Sequence, residues 1–301
     1  MSVYLPIAGV SLNIVVLLLL GGGIGFLSGL FGVGGGFLLT PLLIFLGVPS
    51  PVAVATGANQ VVGASVSGVI AHWRRRNVDI KMGLVLVAGG TLGAVLGVWL
   101  FARLRSIGQV DLTITLCYVV FLGFVGGTML LESVRALVLS HRPGPAHKRH
   151  HHRGARLPFK MRFPRSGLYI SLLLPLAVGS VGGLLAALMG VGGGFIMVPM
   201  MIYVLEMPTS VVIGTSLFQV VFVTAAVTFL QAIQTQTVDV ILMLTLLIGG
   251  VVGAQLGARF ASRLKAEQVR ILLALLVLAV CGRLLFELVA KPSDLFNLAT
   301  T

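Results

Sequence analysis

The stretch GVGGGF occurs twice in this 301-residue chain, at residues 32–37 and 190–195. Both copies pack four glycines into five residues, and glycine is a poor helix former because it loses more backbone entropy on folding than other residues. A long apolar run precedes each copy and a shorter one follows it. The repeated stretch therefore predicts two breaks between helices, about half a chain apart.

The composition surrounding these breaks is that of a membrane protein. Hydrophobic residues make up 57% of the chain and charged residues 10%, whereas soluble domains carry roughly 25% charged residues. Several apolar runs approach the roughly 20 residues that cross a bilayer. Lipid permits only helices or closed barrels, and no series of short alternating strands is visible. We therefore expect an all-α integral membrane protein, whose N-terminal run is a span rather than a cleaved signal peptide because it lacks a basic start and a cleavage site.

The similarity between the two copies continues along the chain and defines an internal repeat. Aligning the glycine stretches pairs Pro41 with Pro199, and small shifts pair Thr56 with Thr215 and Gln60 with Gln219. The predicted organisation is a first transmembrane repeat at 1–132, a linker at 133–166 and a second repeat at 167–301. Each repeat divides into five apolar segments, near 12–32, 36–48, 51–72, 80–103 and 110–132 in the first and near 168–189, 194–206, 210–231, 239–261 and 268–288 in the second.

An odd number of spans in each repeat predicts that the second repeat is inverted relative to the first. The linker is rich in Arg and His and contains no acidic residue, so the positive-inside rule assigns it to the cytoplasm. The loop Arg74–Arg76 then lies inside together with 263–270, and its counterpart 234–237 lies outside. Arg103 and Arg105 are exceptions, because they fall outside.

Inverted repeats with broken helices are typical of transporters whose substrate site lies where the breaks meet near the midplane. Glycine lets backbone N–H groups approach a ligand, and the helix that follows each break directs its positive N-terminal dipole toward an anion. Polar residues along one face of the third segment would complete the lining. The predicted substrate-binding residues are Gly34, Gly35, Gly36, Phe37, Thr56, Asn59, Gln60, Gly192, Gly193, Gly194, Phe195, Thr215, Ser216 and Gln219.

Each pattern also has a structural interpretation. The spaced glycines of the fourth segments (Gly89, Gly93 and Gly97, with Gly249, Gly253 and Gly257) favour close helix packing, and the polar side chains of the third segments could equally hold helices together. Asp79 and Asp239 are expected to cap helices. His72 could relay protons but fits an interfacial position, and the histidines at 147–152 fit a solvated loop better than a metal site.

At these residues the chain resembles the sulfite exporter TauE/SafE family. The resemblance rests on the paired GGGF-x-x-x-P motifs at 34–41 and 192–199, on AVATGANQ at 53–60 and on GTSLFQ at 214–219. It covers both halves and leaves out the linker. It implies a bacterial inner-membrane permease for sulfite, sulfoacetate and related sulfur-containing anions, including organosulfonates.

The residues and the resemblance together predict a permease that exports a small sulfur-containing anion such as sulfite, sulfoacetate, thiosulfate or an organosulfonate. The alternative is an anion channel, or a transporter of another small anion, on the same scaffold. Two other classes are an enzyme using Ser67 and His72, which are poorly placed on one helix for proton transfer, and a purely structural membrane protein. We expect no enzyme activity, no cofactor, no metal and no nucleic acid. The expected partners are a small anionic substrate and the lipid bilayer, with a homodimer as a possible assembly.

Overall fold

The computed structural model describes residues 2–31, 36–74, 76–138, 159–261 and 266–289. Within these ranges the chain forms ten α-helices, which confirms the all-α prediction. The helices of the first half are α1 (Ile14–Phe31), α2 (Gly36–Phe45), α3 (Ser50–Arg74), α4 (Ile80–Ser106) and α5 (Val110–Val138). Those of the second half are α6 (Leu173–Met189), α7 (Gly194–Tyr203), α8 (Thr209–Gln234), α9 (Val240–Ala261) and α10 (Ala266–Val289).

Several features that the sequence analysis singled out lie outside the described residues. They are Gly34 and Gly35 of the first glycine stretch, Arg75, most of the linker with its His-rich run at 147–152, and part of the basic loop 263–270.

Five of the described helices are long and apolar enough to cross a membrane. Their qualifying ranges are Ser50–Arg74, Ile80–Ser106, Val110–Thr128, Val211–Gln234 and Val240–Gly257. The helices that directly follow the glycine stretches, α2 and α7, have 10 residues each, so each is about 15 Å long and half the thickness of a hydrocarbon core. The prediction of a short second segment in each half is confirmed.

A β-hairpin precedes the first helix of each half, which the sequence analysis did not predict. Strands β1 (Ser2–Leu5) and β2 (Val10–Asn13) pair antiparallel, as do β3 (Lys160–Phe163) and β4 (Leu168–Ser171). Strand β3 lies inside the predicted linker, and β4 occupies the start of a predicted apolar helix. Four-residue strands are too short to show a period, but both turns have the form Pro-x-x-Gly, with Gly9 and Gly167 at positive φ, and that signal is typical of a tight turn.

The tightest helix pairs join one half of the chain to the other. Helix α1 packs along α9, and α4 packs along α6. Glycines at these contacts let the backbones touch: a Cβ atom on Gly21 would lie 2.7 Å from the carbonyl oxygen of Leu246, and one on Gly93 would overlap the carbonyl oxygen of Ser180. The packing role predicted for the spaced glycines is therefore confirmed at Gly93, and also at Gly89, Gly97, Gly249 and Gly253.

Each hairpin turn docks on the helix cap of the opposite half. Asp79 caps α4 by accepting a hydrogen bond from the N–H of Met82, and its other carboxylate oxygen accepts from the N–H and hydroxyl of Ser166 at 2.9 and 2.6 Å. Asp239 caps α9 through the N–H of Leu242 and accepts from the N–H of Ile7 at 3.1 Å. The predicted capping role of both aspartates is confirmed.

Candidate functional site

The second glycine stretch forms a sharp break between α6 and α7. Gly190, Gly192 and Gly193 have φ values of +68°, +71° and +74°, a left-handed conformation that side-chain-bearing residues adopt only at a cost. Gly190 ends α6 and Gly193 precedes α7. The N–H groups of Gly194 and Phe195 have no hydrogen-bond acceptor among the described residues, as expected at the first turn of a helix.

The start of α2 meets the second break in the interior of the protein. A Cβ atom on Gly36 would lie 2.9 Å from the carbonyl oxygen of Val191 and would overlap the side chain of Val61 on α3. Immediately after the breaks, the rings of Phe37 and Phe195 stack with centroids 4.2 Å apart and an interplanar angle of 14°. Of the predicted site residues, the structure therefore brings together Gly36, Phe37, Gly192 and Phe195, all of them buried.

Helix α3 runs along the second break and closes its other side. A Cβ atom on Gly190 would overlap the carbonyl oxygen of Val54, and one on Gly192 would overlap Val61, two turns further along α3. The same atom on Gly192 would lie 2.9 Å from the methyl group of Thr224 on α8. The groups that these contacts bring to the breaks are all neutral, so polar contact with a ligand there would come from backbone N–H groups and hydroxyls.

Thr56 and Thr215 form a crossed pair of hydrogen bonds between the repeats. The hydroxyl oxygen of Thr215 on α8 accepts from the N–H of Asp79 at 3.0 Å, and that of Thr56 on α3 accepts from the N–H of Asp239 at 3.2 Å. Both threonines are fully buried. A hydroxyl can accept and donate at the same time, so each threonine satisfies a buried N–H group at a helix cap and retains its own hydrogen for another acceptor.

These contacts fix the relative direction of α3 and α8. The start of α3 lies beside Asp239, which follows the end of α8, and the start of α8 lies beside Asp79, which follows the end of α3. The two helices therefore run antiparallel. Gly68 of α3 lies against Leu217 of α8, and Gly68 is about 18 Å along the helix from Thr56, so the structure places Thr56 and Thr215 at different levels.

The two repeated glutamines have different surroundings. The amide nitrogen of Gln60 donates to the carbonyl oxygen of Gly21 at 3.0 Å and lies against Gly250 on α9. Gln219 lies against Gly90 on α4 and is fully buried, and neither of its amide atoms has a hydrogen-bond partner among the described residues. These contacts place Gln60 against α1 and α9 and Gln219 against α4. The assignment of both glutamines to the substrate site stays a prediction.

The remaining predicted polar residues are bonded within their own helices. Asn59 donates to the carbonyl oxygen of Ala55 at 3.4 Å, and the hydroxyl of Ser216 donates to that of Ile213 at 2.9 Å. Neither contact joins another helix, so each side chain could exchange its bond for a ligand.

The sequence analysis missed a tyrosine beside the second break. The hydroxyl of Tyr118 on α5 donates to the carbonyl oxygen of Met189, the last residue of α6, at 2.5 Å. Tyr118 is fully buried in the same apolar cluster as Phe37 and Phe195. No repeat signal could have identified it, because the aligned position of the second half is Val277.

Arg105, which is an exception to the positive-inside rule, makes a specific hydrogen bond. Its guanidinium donates to the carbonyl oxygen of Thr235 at 2.6 Å, and the guanidinium of Arg103 lies over the ring of Trp99 at 5.4 Å. These contacts explain structurally why both arginines lie at the end of the protein where α4 and α8 end.

Comparison with known proteins agrees with this architecture. The sequence profile described as sulfite exporter TauE/SafE matches residues 17–284. A probable membrane transporter protein of Xylella fastidiosa strain 9a5c is 30% identical over 82% of this chain and 85% of its own length. The probable membrane transporter protein YjnA of Bacillus subtilis is 27% identical over 88% of this chain and 96% of its own length.

A plant relative matches a shorter part. The sulfite exporter TauE/SafE family protein 3 of Arabidopsis thaliana is 34% identical over 91 residues, which is 30% of this chain and 19% of that protein. No solved structure matches the chain. Because the profile covers both halves and the glycine stretches of each, the chain belongs to the sulfite exporter TauE/SafE family of multi-pass membrane transporters.

Proposed function

We propose that this protein is a permease that exports a small sulfur-containing anion, such as sulfite, sulfoacetate, thiosulfate or an organosulfonate, across the bacterial inner membrane. The observation that carries the proposal is the contact between Gly36, at the start of α2, and Val191 of the second glycine break, next to the stacked rings of Phe37 and Phe195. Backbone N–H groups at the start of α7 and neutral walls suit an anion that must be bound and then released.

The substrate site in this proposal comprises the glycines and phenylalanines of both breaks, with the polar residues of α3 and α8 as its lining. The neutral lining matters for transport because a buried arginine would hold an anion strongly, whereas backbone dipoles and hydroxyls bind it more weakly. The membrane potential of a negative-inside cell favours anion export by roughly 2.3 kcal/mol per charge per 100 mV.

The repeats are proposed to have inverted topology. The antiparallel course of α3 and α8, which are equivalent in the two halves, supports this arrangement. Basic side chains also concentrate at one end: Arg74, Arg76 and Lys81 are exposed there, with Lys160 and Arg162 on the hairpin that docks on Asp79. That end, and with it the linker 133–166, is therefore assigned to the cytoplasm.

Topology can be tested by labelling single cysteines from one side of the membrane. In a variant with Cys117 and Cys281 replaced by alanine, Arg74→Cys should be protected from an impermeant maleimide in intact spheroplasts, and Gln234→Cys should react. Both native positions are exposed at helix ends. Labelling of both cysteines from the same side would contradict inversion.

Function is tested by flux into proteoliposomes that contain purified protein. Sulfite, thiosulfate, sulfoacetate, taurine and sulfate are each measured with and without an imposed membrane potential or pH gradient. Saturable movement of a sulfur-containing anion, accelerated by a potential that draws anions across, is the expected result. Flux that never saturates would identify a channel, and absence of flux from monodisperse protein would overturn the proposal.

A further inference from the structure

Two buried hydroxyl groups next to the second break have no counterpart in the other half. Thr40 on α2 aligns with Val198, because Pro41 aligns with Pro199. Tyr118 on α5 aligns with Val277 on α10, since the buried positions of the two helices coincide in this register. The surroundings of the two glycine breaks are therefore chemically different, although the breaks have the same sequence.

The hydroxyl of Thr40 lies against the second break. Thr40 is fully buried, and among the described residues its oxygen makes no hydrogen bond of good geometry, although the hydroxyl of Tyr118 lies beside it. A Cβ atom on Gly57 would lie 3.1 Å from this oxygen and 3.9 Å from the carbonyl oxygen of Gly190. The absence of a side chain on Gly57 thus leaves the Thr40 hydroxyl close to the left-handed glycines that end α6.

An unpartnered hydroxyl at full burial destabilises a fold, because the group loses its hydrogen bonds to water and gains none. Threonines on other helices avoid this by donating to a carbonyl of the preceding turn, as Thr224 on α8 does to Val220 and Thr245 on α9 does to Ile241. Thr40 lies one turn after Gly36, at the start of its helix, and its hydroxyl, which lies beside that of Tyr118, can donate to an acceptor from outside the protein chain.

Tyr118 contacts the residue that directly precedes the second break. Its hydroxyl donates to the carbonyl oxygen of Met189 and thereby fixes the residue directly before Gly190. The bond joins α5 to the end of α6 within an otherwise apolar cluster. Tyr118 therefore determines where the glycines of the second break lie relative to Thr40.

We propose that the Thr40 hydroxyl donates a hydrogen bond to the transported anion and that Tyr118 is a positioning residue for the break that faces it. The ligand class is a small oxyanion of sulfur, whose oxygens accept hydrogen bonds from neutral donors. This inference rests on the proposed function and extends its site by two residues that the repeat does not predict. It also makes the site asymmetric, with a hydroxyl contributed by the first half alone.

The test compares Thr40→Val, Thr40→Ser and Tyr118→Phe with the matched control Thr245→Val, which removes a buried hydroxyl that bonds only its own helix. Flux of the anion that the wild-type protein transports is measured against concentration, and melting temperature is measured in detergent. Thr40→Val should raise KM about tenfold or more, the cost of losing a hydrogen bond to a charged ligand. Thr40→Ser should restore KM to within about threefold of wild type.

Stability separates a binding role from a structural one. Because the Thr40 oxygen makes no hydrogen bond of good geometry among the described residues, Thr40→Val should change the melting temperature little, while its KM rises. Tyr118→Phe should raise KM and lower the melting temperature, since it also frees the Met189 carbonyl. The control Thr245→Val should keep the wild-type KM.

Two failures can be distinguished. If wild-type protein transports an anion and Thr40→Val keeps its KM, the role of Thr40 is overturned while the permease function stands. A lower melting temperature of Thr40→Val with unchanged KM would likewise assign the hydroxyl to folding. If wild-type protein transports none of the anions, the proposed function fails and this inference fails with it.

Discussion

The rings of Phe37 and Phe195 stack on each other at 4.2 Å although 158 positions separate the equivalent stretches that contain them. Equivalent residues of two repeats contact each other only where the repeats face one another, so this pair lies between the halves. Both rings are 2–3% exposed. Stacked aromatic pairs contribute about 0.5–1.5 kcal/mol beyond their buried area.

The stack should be visible as energetic coupling. We expect Phe37→Leu and Phe195→Leu each to lower the free energy of unfolding, and the double variant to lose about 1 kcal/mol less than the sum of the two. Denaturant unfolding in detergent measures this cycle. Both variants should also lose transport, whereas Phe26→Leu, at an aromatic contact away from the breaks, should retain it. Additive losses would show that the rings do not interact.

A side chain at Gly192 should abolish transport because it meets both a steric and a conformational barrier. Its φ is +71°, and a Cβ atom there would overlap Val61. The matched control is Gly47→Ala, since Gly47 has φ +84° and open space around the position of a Cβ. Left-handed strain alone costs roughly 1–2 kcal/mol, so Gly47→Ala should transport normally.

Relief of the overlap gives a sharper version of this experiment. In Gly192→Ala, a second change Val61→Ala removes the methyl group that the new Cβ would overlap, and the close contact with the Thr224 methyl group remains. Partial recovery of flux in the double variant is expected, with the conformational strain still present. If Val61→Ala has no effect on Gly192→Ala, the contact between α3 and the break is not what limits transport.

The crossed threonine bonds should contribute mainly to stability. Thr56→Val and Thr215→Val each leave a buried N–H group of Asp239 or Asp79 without its acceptor, which costs about 1–3 kcal/mol. Because the two sites lie far apart along α3 and α8, the losses should add. Thermal unfolding of the single and double variants measures this. A transport defect larger than the stability loss would support their predicted place in the substrate site.

Gln60 and Gln219 should respond differently to the same substitution. Gln60→Leu breaks a bond to Gly21 and should destabilise the protein by about 1 kcal/mol. Gln219→Leu removes a buried amide that has no hydrogen-bond partner in the described part of the chain, and it should leave stability unchanged or raise it. If Gln219 binds substrate, its variant loses flux while remaining stable. Wild-type flux in Gln219→Leu would remove this residue from the site.

Most of the helical architecture could be predicted because long apolar runs and glycine clusters act locally. The bounds of α1 and α6 follow from the glycines that end them, and α2 and α7 are short because little apolar sequence follows each break. The β-hairpins were missed because their stability comes from docking onto Asp79 and Asp239 of the opposite half, which no local pattern reveals.

The candidate site was only partly predictable for the same reason. The repeat identified Gly36 and Gly192, whose positions depend on backbone conformation that glycine itself determines. It could not identify Thr40 or Tyr118, because each is a single polar residue within an apolar run whose proposed role depends on groups that are distant in the sequence. Thr56 and Thr215 were recognised as a pair, but their bonds to the caps of α9 and α4 depend on how the halves pack.

The central claim is that a small sulfur-containing anion crosses the membrane where the two glycine breaks meet. The most direct measurement is the concentration dependence of anion flux in proteoliposomes with wild-type protein and with Gly36→Val, whose side chain would overlap Val61 and approach the Val191 carbonyl. We predict saturable flux of a sulfur-containing anion in the wild type and none in a monodisperse, correctly inserted Gly36→Val protein. Equal flux in the two proteins, or no flux in the wild type, would contradict the account.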